Sequence, residues 1–340
     1  MYVGKRYPFL TTFRWSIRFV YLFAAMSIAV ALLFYFLRFD WLMIPWQPIS
    51  LVGIAVAFYL GFKNNSSYER LWEARKIWGG IVNSSRTFTV MSRDFVSNLH
   101  TEESTSEEDL NAIRKTIVHR HVAWLFALTF QLRERRDWEH WNEANNFIRE
   151  AGDIHPDKDH FPKIKEYLTD EEYQYMMTKG NKASHLLSLQ SKHLKELREK
   201  GLIDDFRHME LSRQIEEFYA LQGKSERIKN FPFPRQYASV NYYFVWIFIL
   251  MLPFAMLSIF GPLVDSYAFW LLIPCTTLVS WVFILMEMIG DYSENPFEGL
   301  YNDVPITSIA RGIEIDIRQM LEETDLPGAI ETVTDFNILL

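Results

Sequence analysis

Glu287 and Asp291 stand four residues apart near the end of the last uncharged stretch of this chain. On a helix that spacing puts both carboxylates on one face. Such a pair can serve acid–base work, hold a cation, or neutralise nearby basic groups. The sequence has no Walker loop, GxGxxG, HExxH or GxSxG elbow to accompany it. Structural or electrostatic use is therefore favoured over catalysis. His119 and His121 are two apart, which points them to different helix faces and away from a shared metal. His140, His155 and His160 are scattered among acids and read as surface histidines. The lone cysteine, Cys275, excludes an internal disulfide framework and any multi-cysteine zinc site. No metal and no cofactor is expected. A different physics attaches to Ile54, Phe58 and Phe62, again spaced by four, which close an uncharged run just before Lys63-Asn64-Asn65. By spacing alone the stripe favours packing between membrane helices. If copies of the chain surround an axis, it becomes an apolar constriction that gates by losing its water.

The elements that carry these residues follow from where the charges are absent. The 340-residue chain is 49% hydrophobic and 16% aromatic, yet 23% charged. The averages hide four blocks without charge: Phe19–Leu37, Trp41–Phe62, Gln236–Val264 and Ser266–Met286. Each has about the 20 residues that a spanning helix needs. With no water in the hydrocarbon core to satisfy the backbone, they must be helices. Lys5, Arg6, Arg14 and Arg18 precede the first block, Lys63, Arg70, Arg75 and Lys76 follow the second, and Arg227, Lys229 and Arg235 precede the third. The short turns hold only Arg38 with Asp40, and Asp265. The basic bias puts both termini and the long middle segment in the cytoplasm. The opening Met1-Tyr2-Val3-Gly4-Lys5-Arg6 leads into the first block with no small-residue cleavage pattern. A net charge of −7 offers no footprint for nucleic acid.

Between Lys63 and Arg235 the spacing is helical throughout. Ser66-Ser67-Tyr68-Glu69 predicts a capping box that opens a long helix, with Leu71, Ala74, Trp78, Ile81 and Val82 on one face. The acidic stretch from Thr101 to Glu108 predicts a loop, and a helix is expected over Leu110–Arg133. Thr169-Asp170-Glu171-Glu172 predicts another capping box. Two helices flank Gly201, over Lys182–Lys200 and Asp204–Leu221, and Phe231-Pro232-Phe233-Pro234 breaks the pattern. Asn302-Asp303-Val304-Pro305 predicts a helix start with a capping Asp, followed by Ile306, Ile309, Ile313, Ile317 and Leu321 at helical spacing. The expected organisation is an N-terminal arm with two spans over 1–62, a cytosolic helical domain over 63–235, two more spans over 236–288, and a cytosolic C-terminal segment over 289–340.

The run Pro48-Ile49-Ser50-Leu51-Val52-Gly53-Ile54-Ala55-Val56-Ala57-Phe58-Tyr59-Leu60-Gly61-Phe62 resembles the bestrophin ion channels, in particular their bacterial branch. So do Asn64, Tyr68-Glu69-Arg70, Trp72-Glu73-Ala74-Arg75-Lys76-Ile77-Trp78-Gly79, and Glu294-Asn295-Pro296-Phe297 with Asn302-Asp303-Val304-Pro305 and Ile313-Glu314-Ile315-Asp316. The matches follow one another in order along nearly the whole chain. The resemblance implies an all-α membrane protein with four transmembrane helices per subunit and a helical cytosolic domain, assembled as a homopentamer around one pore. It implies a location in the bacterial plasma membrane, and partners limited to further copies of the chain, the bilayer and small inorganic ions.

By the same resemblance, 48–62 lines the pore and Ile54, Phe58 and Phe62 form its neck. Arg198-Glu199-Lys200-Gly201-Leu202-Ile203-Asp204-Asp205-Phe206 matches the region of a second, cytosolic aperture and nominates Phe206. The family's animal members hold calcium with acids after Asn-Pro-Phe. Here Glu298-Gly299-Leu300-Tyr301-Asn302-Asp303 supplies two acids, against the six to eight or so oxygens calcium takes, so calcium activation does not carry over. The sign of the ion is finely balanced. The positive edges of the Phe58 and Phe62 rings favour anions such as chloride, whereas Asp204, Asp205 and the negative total charge favour monovalent cations. The narrow neck outweighs the wide vestibule, so anions are expected. Two rival classes stay open: a membrane-anchored scaffold or sensor without a pore, and a membrane enzyme using Glu287 and Asp291.

Overall fold

The computed structural model describes residues 1–101, 104–140, 160–332 and 337–340. Among them the α-helices are α1 (Phe9–Leu37), α2 (Trp46–Phe95), α3 (Glu107–Arg133), α4 (Asp170–Met177), α5 (Lys182–Glu199), α6 (Asp205–Asn230), α7 (Arg235–Phe260), α8 (Leu272–Asp291) and α9 (Ile306–Gln319). The β structure of the described residues is an isolated bridge between Tyr2 and Ile338. The chain forms two compact units: Gly4–Arg70 with Pro232–Glu294, and Met1–Val3 with Leu71–Phe231 and Asn295–Leu340.

The first unit holds α1, the start of α2, α7 and α8. Phe9–Leu37, Asp40–Phe95, Arg235–Leu263 and Tyr267–Asp291 are each long and apolar enough to cross a bilayer, which makes this a multi-pass membrane protein. α1 and α7 both pack on α8. Phe23, Val56, Leu60, Val245, Phe248, Ile249 and Ile284 form one apolar cluster, and Val30, Phe34, Leu42, Leu257 and Phe269 a second. Within the first span, Ser27 Oγ returns to its own helix by donating to the Phe23 carbonyl at 2.7 Å. That satisfies a group which lipid cannot. Tyr21, Phe36, Leu51 and Leu250 point outward, a burial pattern opposite to that of a soluble protein.

The second unit is built on α3, buried without a break from Arg120 to Thr129 and packed against α5 and α9. Local chemistry sets its helix starts. Ser106 accepts from the Asp109 amide, Asn181 from Ser184 and Asp204 from Arg207. Thr169 and Glu172 close the reciprocal capping box that their spacing predicts. Gly201 turns the chain between α5 and α6 at φ +71°, where a Cβ would meet the His100 carbonyl oxygen at 2.8 Å.

One predicted helix start is not a start, and at a second the helix begins where expected, at Ile306, but without the expected cap. α2 runs through Ser66 without interruption, and Glu69 accepts from Asn65 Nδ2 at 2.8 Å rather than capping a terminus. Nothing between Phe62 and Tyr68 halts a helix, and buried Lys63 ties this turn to Glu287, so the local capping preference loses. Asp303 likewise does not cap α9, whose N-cap is Pro305. Its carboxylate instead accepts from the backbone amides of Gly299 at 2.5 Å and Leu300 at 3.0 Å, closing the turn that precedes the helix.

Candidate functional site

α2 presents two faces. Ile49, Gly53, Val56, Leu60, Lys63 and Ser67 are buried at alternating spacings of four and three, the period of a helix seated along a seam. Gly53 lets α7 approach, since a Cβ there would lie 2.7 Å from the Phe248 ring. Ile54, Phe58 and Phe62 occupy another face and are 67%, 70% and 51% exposed within the chain. The Phe58 and Phe62 rings meet edge to face, with centroids 4.8 Å apart and planes at 90°. The stripe therefore does not pack inside its own subunit. Its three side chains are turned outward by burial of the other face.

The carboxylate pair is divided in its uses. Glu287 is buried in α8, its Oε1 accepts from Lys63 Nζ at 2.5 Å, and its other oxygen accepts from Asn241 Nδ2 of α7. A carboxylate consumed in this way is not poised for acid–base turnover. Asp291 is the last residue of α8 and is only partly buried.

Phe206, Asp204 and Asp205 lie at the start of α6 in the second unit. Phe206 is 83% exposed. Both acids have partners: Asp204 meets Arg207 at 3.2 Å and His100 Nε2 at 3.3 Å, and Asp205 meets Arg198. The Arg207 backbone amide, donating to Asp204, chiefly holds that carboxyl below its usual range. The surplus of negative charge expected beside Phe206 is thus countered residue by residue by two arginines.

Of the histidines read as surface residues, the structure describes His140 and His160, and both are drawn inward. His121 is fully buried, with its Nε2 2.9 Å from Ser85 Oγ, and burial lowers its pKa to about 3. His119 faces elsewhere, toward Glu323 at 2.7 Å, as two-residue spacing requires. His160 is buried and His140 lies against Glu298, because apolar neighbours and a buried acid draw them in. His155 lies outside the described residues. Among the described residues no three His, Cys, Asp or Glu side chains are grouped to hold a metal.

Sequence reasoning used Lys63 for orientation alone and did not single out Asn241, although both belong to a buried polar contact of the first unit. The signal was present: Lys63 continues the buried seam three residues after Leu60, and Asn241 interrupts an apolar block.

The model of the bacterial/fungal bestrophin proteins matches residues 15–319. Among relatives, the voltage-dependent anion channel-forming protein YneE of Escherichia coli K12 is 27% identical over 85% of this chain and 84% of its own length. A voltage-dependent anion channel-forming protein of Ralstonia nicotianae is 25% identical over 82% and 78%. The crystal structure of a bacterial bestrophin homologue from Klebsiella pneumoniae superposes with a TM-score of 0.74 at 22% identity, covering 91% of this chain and 99% of that one. With its four apolar spans and all-helical fold, the chain belongs to the bacterial/fungal bestrophin family.

Proposed function

We propose that this protein is a homopentameric channel of the bacterial plasma membrane that passes small anions such as chloride, with both termini cytoplasmic. Residues 48–62 line the pore, Ile54, Phe58 and Phe62 form its neck, and Phe206 forms a cytosolic aperture. The parts over 63–235 and 289–340 are cytosolic, and those over 1–62 and 236–288 carry the spans. The observation that carries the reading is the outward-facing stripe on a helix whose opposite face is buried. Five such stripes around an axis leave a dry passage that a hydrated ion crosses only at a cost. The aromatic edges in that passage carry partial positive charge and ease the passage of an anion. The curated relatives are named as anion channel-forming proteins, which supports the same sign. The pairing of Asp204 and Asp205 with arginines removes the main argument for cations.

The test is reversal potential under a salt gradient in planar bilayers. Phe58→Ala widens the middle ring and removes aromatic edges, so conductance should rise and anion preference weaken. Ile54→Ala should change conductance with less effect on ion sign, since it removes bulk but no quadrupole. Unchanged conductance and reversal potential in Phe58→Ala would mean that the stripe does not line the pore.

A further inference from the structure

We infer that the Lys63–Glu287 pair is the positioning latch of the neck: it fixes the rotation and seating of α2, and so the width of the ring that Phe58 and Phe62 form. This rests on the neck reading above. Lys63 follows Phe62 directly, and one residue turns a helix by about 100°, so an inward Lys63 and an outward Phe62 are two results of one azimuth. Lys63 is fully buried, and its ammonium meets Glu287 of α8 at 2.5 Å. Asn241 of α7 donates to the second Glu287 oxygen, so one carboxylate ties three helices together.

The next residue repeats the attachment without charge. Asn64 Nδ2 donates to the Met286 carbonyl at 3.2 Å. A Cβ on Gly290 would lie 2.0 Å from Asn64 Oδ1, so any side chain there would press on the Asn64 amide that holds the Met286 carbonyl. Above Lys63 the seam is apolar, through Val56 and Leu60, and carries no charge. A buried ion pair in a membrane unit behaves differently. Rotating α2 would strip one charge from the other, away from water, which the surroundings strongly oppose. Lys63 and Glu287 thus act on ions through Phe58 and Phe62, not by contact with them.

The experiment compares unitary conductance and reversal potential for wild type, Lys63→Met, Glu287→Gln, the double variant of these two, Gly290→Ala and Phe58→Ala, each purified at the wild-type oligomeric mass. Lys63→Met and Glu287→Gln each leave the other charge without its partner, so each should change unitary conductance by about threefold or more. The double variant leaves no uncompensated charge and keeps an acceptor for Asn241. It still lacks the ion pair that seats α2, so unitary conductance should remain shifted by about twofold or more, with reversal potential preserved because neither charge faces the ion. Gly290→Ala alters no charge, yet it should shift conductance by forcing Asn64 off Met286 or α2 off α8. Should a single charge variant fail to fold, the double variant and Gly290→Ala still decide the matter. Wild-type conductance in the single variants and Gly290→Ala, with Phe58→Ala altered, overturns the latch and leaves the neck standing. A double variant with a shifted reversal potential also overturns it, because the charges would then act on the ion directly. If Phe58→Ala is itself silent, the neck reading fails and the latch with it.

Discussion

Asp204 and Asp205 place two negative charges beside Phe206, yet each carboxylate is in contact with a cation. Arg207 and His100 meet Asp204, and Arg198 meets Asp205. What an ion meets there depends on the sum of the cluster and not on its acids alone. Arg198→Gln removes the partner of Asp205 in every copy of the chain. It should move the reversal potential toward cations. Asp205→Asn leaves Arg198 unopposed and should move it toward anions. Both side chains of this pair are largely exposed, so neither change should disturb folding, as a thermal melt would show. Shifts of equal sign in the two variants would mean that this cluster does not face the ion path.

At the scale of elements, the segment from Asn295 to Pro305 is a turn that the chain closes by itself. Buried Glu298 accepts from Asn295 Nδ2 at 2.6 Å and lies against His140, while Asp303 takes the Gly299 and Leu300 amides and lies 3.8 Å from Arg133. Calcium wants about six to eight oxygens, and the two carboxylates of this turn are already engaged. Ion flux in liposomes should be the same in micromolar calcium and in chelator, and a steep calcium dependence would overturn this account of the turn. The same segment shows why some elements are legible in sequence. The Thr169–Glu172 capping box joins residues three apart, so both partners are visible in one short stretch. Asp303 and Ser66 show equally good local signals, but Asp303 closes the preceding turn and Ser66 lies inside an uninterrupted helix. Spacing put Ile54, Phe58 and Phe62 on one face of α2. Which way that face turns depends on Gly53 meeting Phe248 and on Lys63 finding Glu287, 224 residues further on. Periodicity within a helix carries no record of a partner so distant.

For the whole molecule, the question is what covers the outward stripe. Ile54, Phe58 and Phe62 are large, apolar and exposed within the chain. In a membrane they face lipid, a neighbouring subunit or a shared axis. A lipid-facing role needs no particular spacing, because acyl chains accept any apolar side chain. A ring does, since each copy must present the same side chains at the same depth to the axis. One subunit with four spans has no evident polar path of its own, so conduction requires head-to-tail contacts that close. Native mass spectrometry in detergent should give five times the 40.3 kDa chain. Five is expected because an arrangement shared with the family fixes the angle between neighbours, and a closed ring admits one number for a given angle. A monomer or dimer that remains folded would leave the stripe facing lipid, and with no axis the neck, its latch and the aperture at Phe206 would all lose their meaning. A ring of another size would keep the pore but change its width. Conductance measured on the same preparation separates these outcomes.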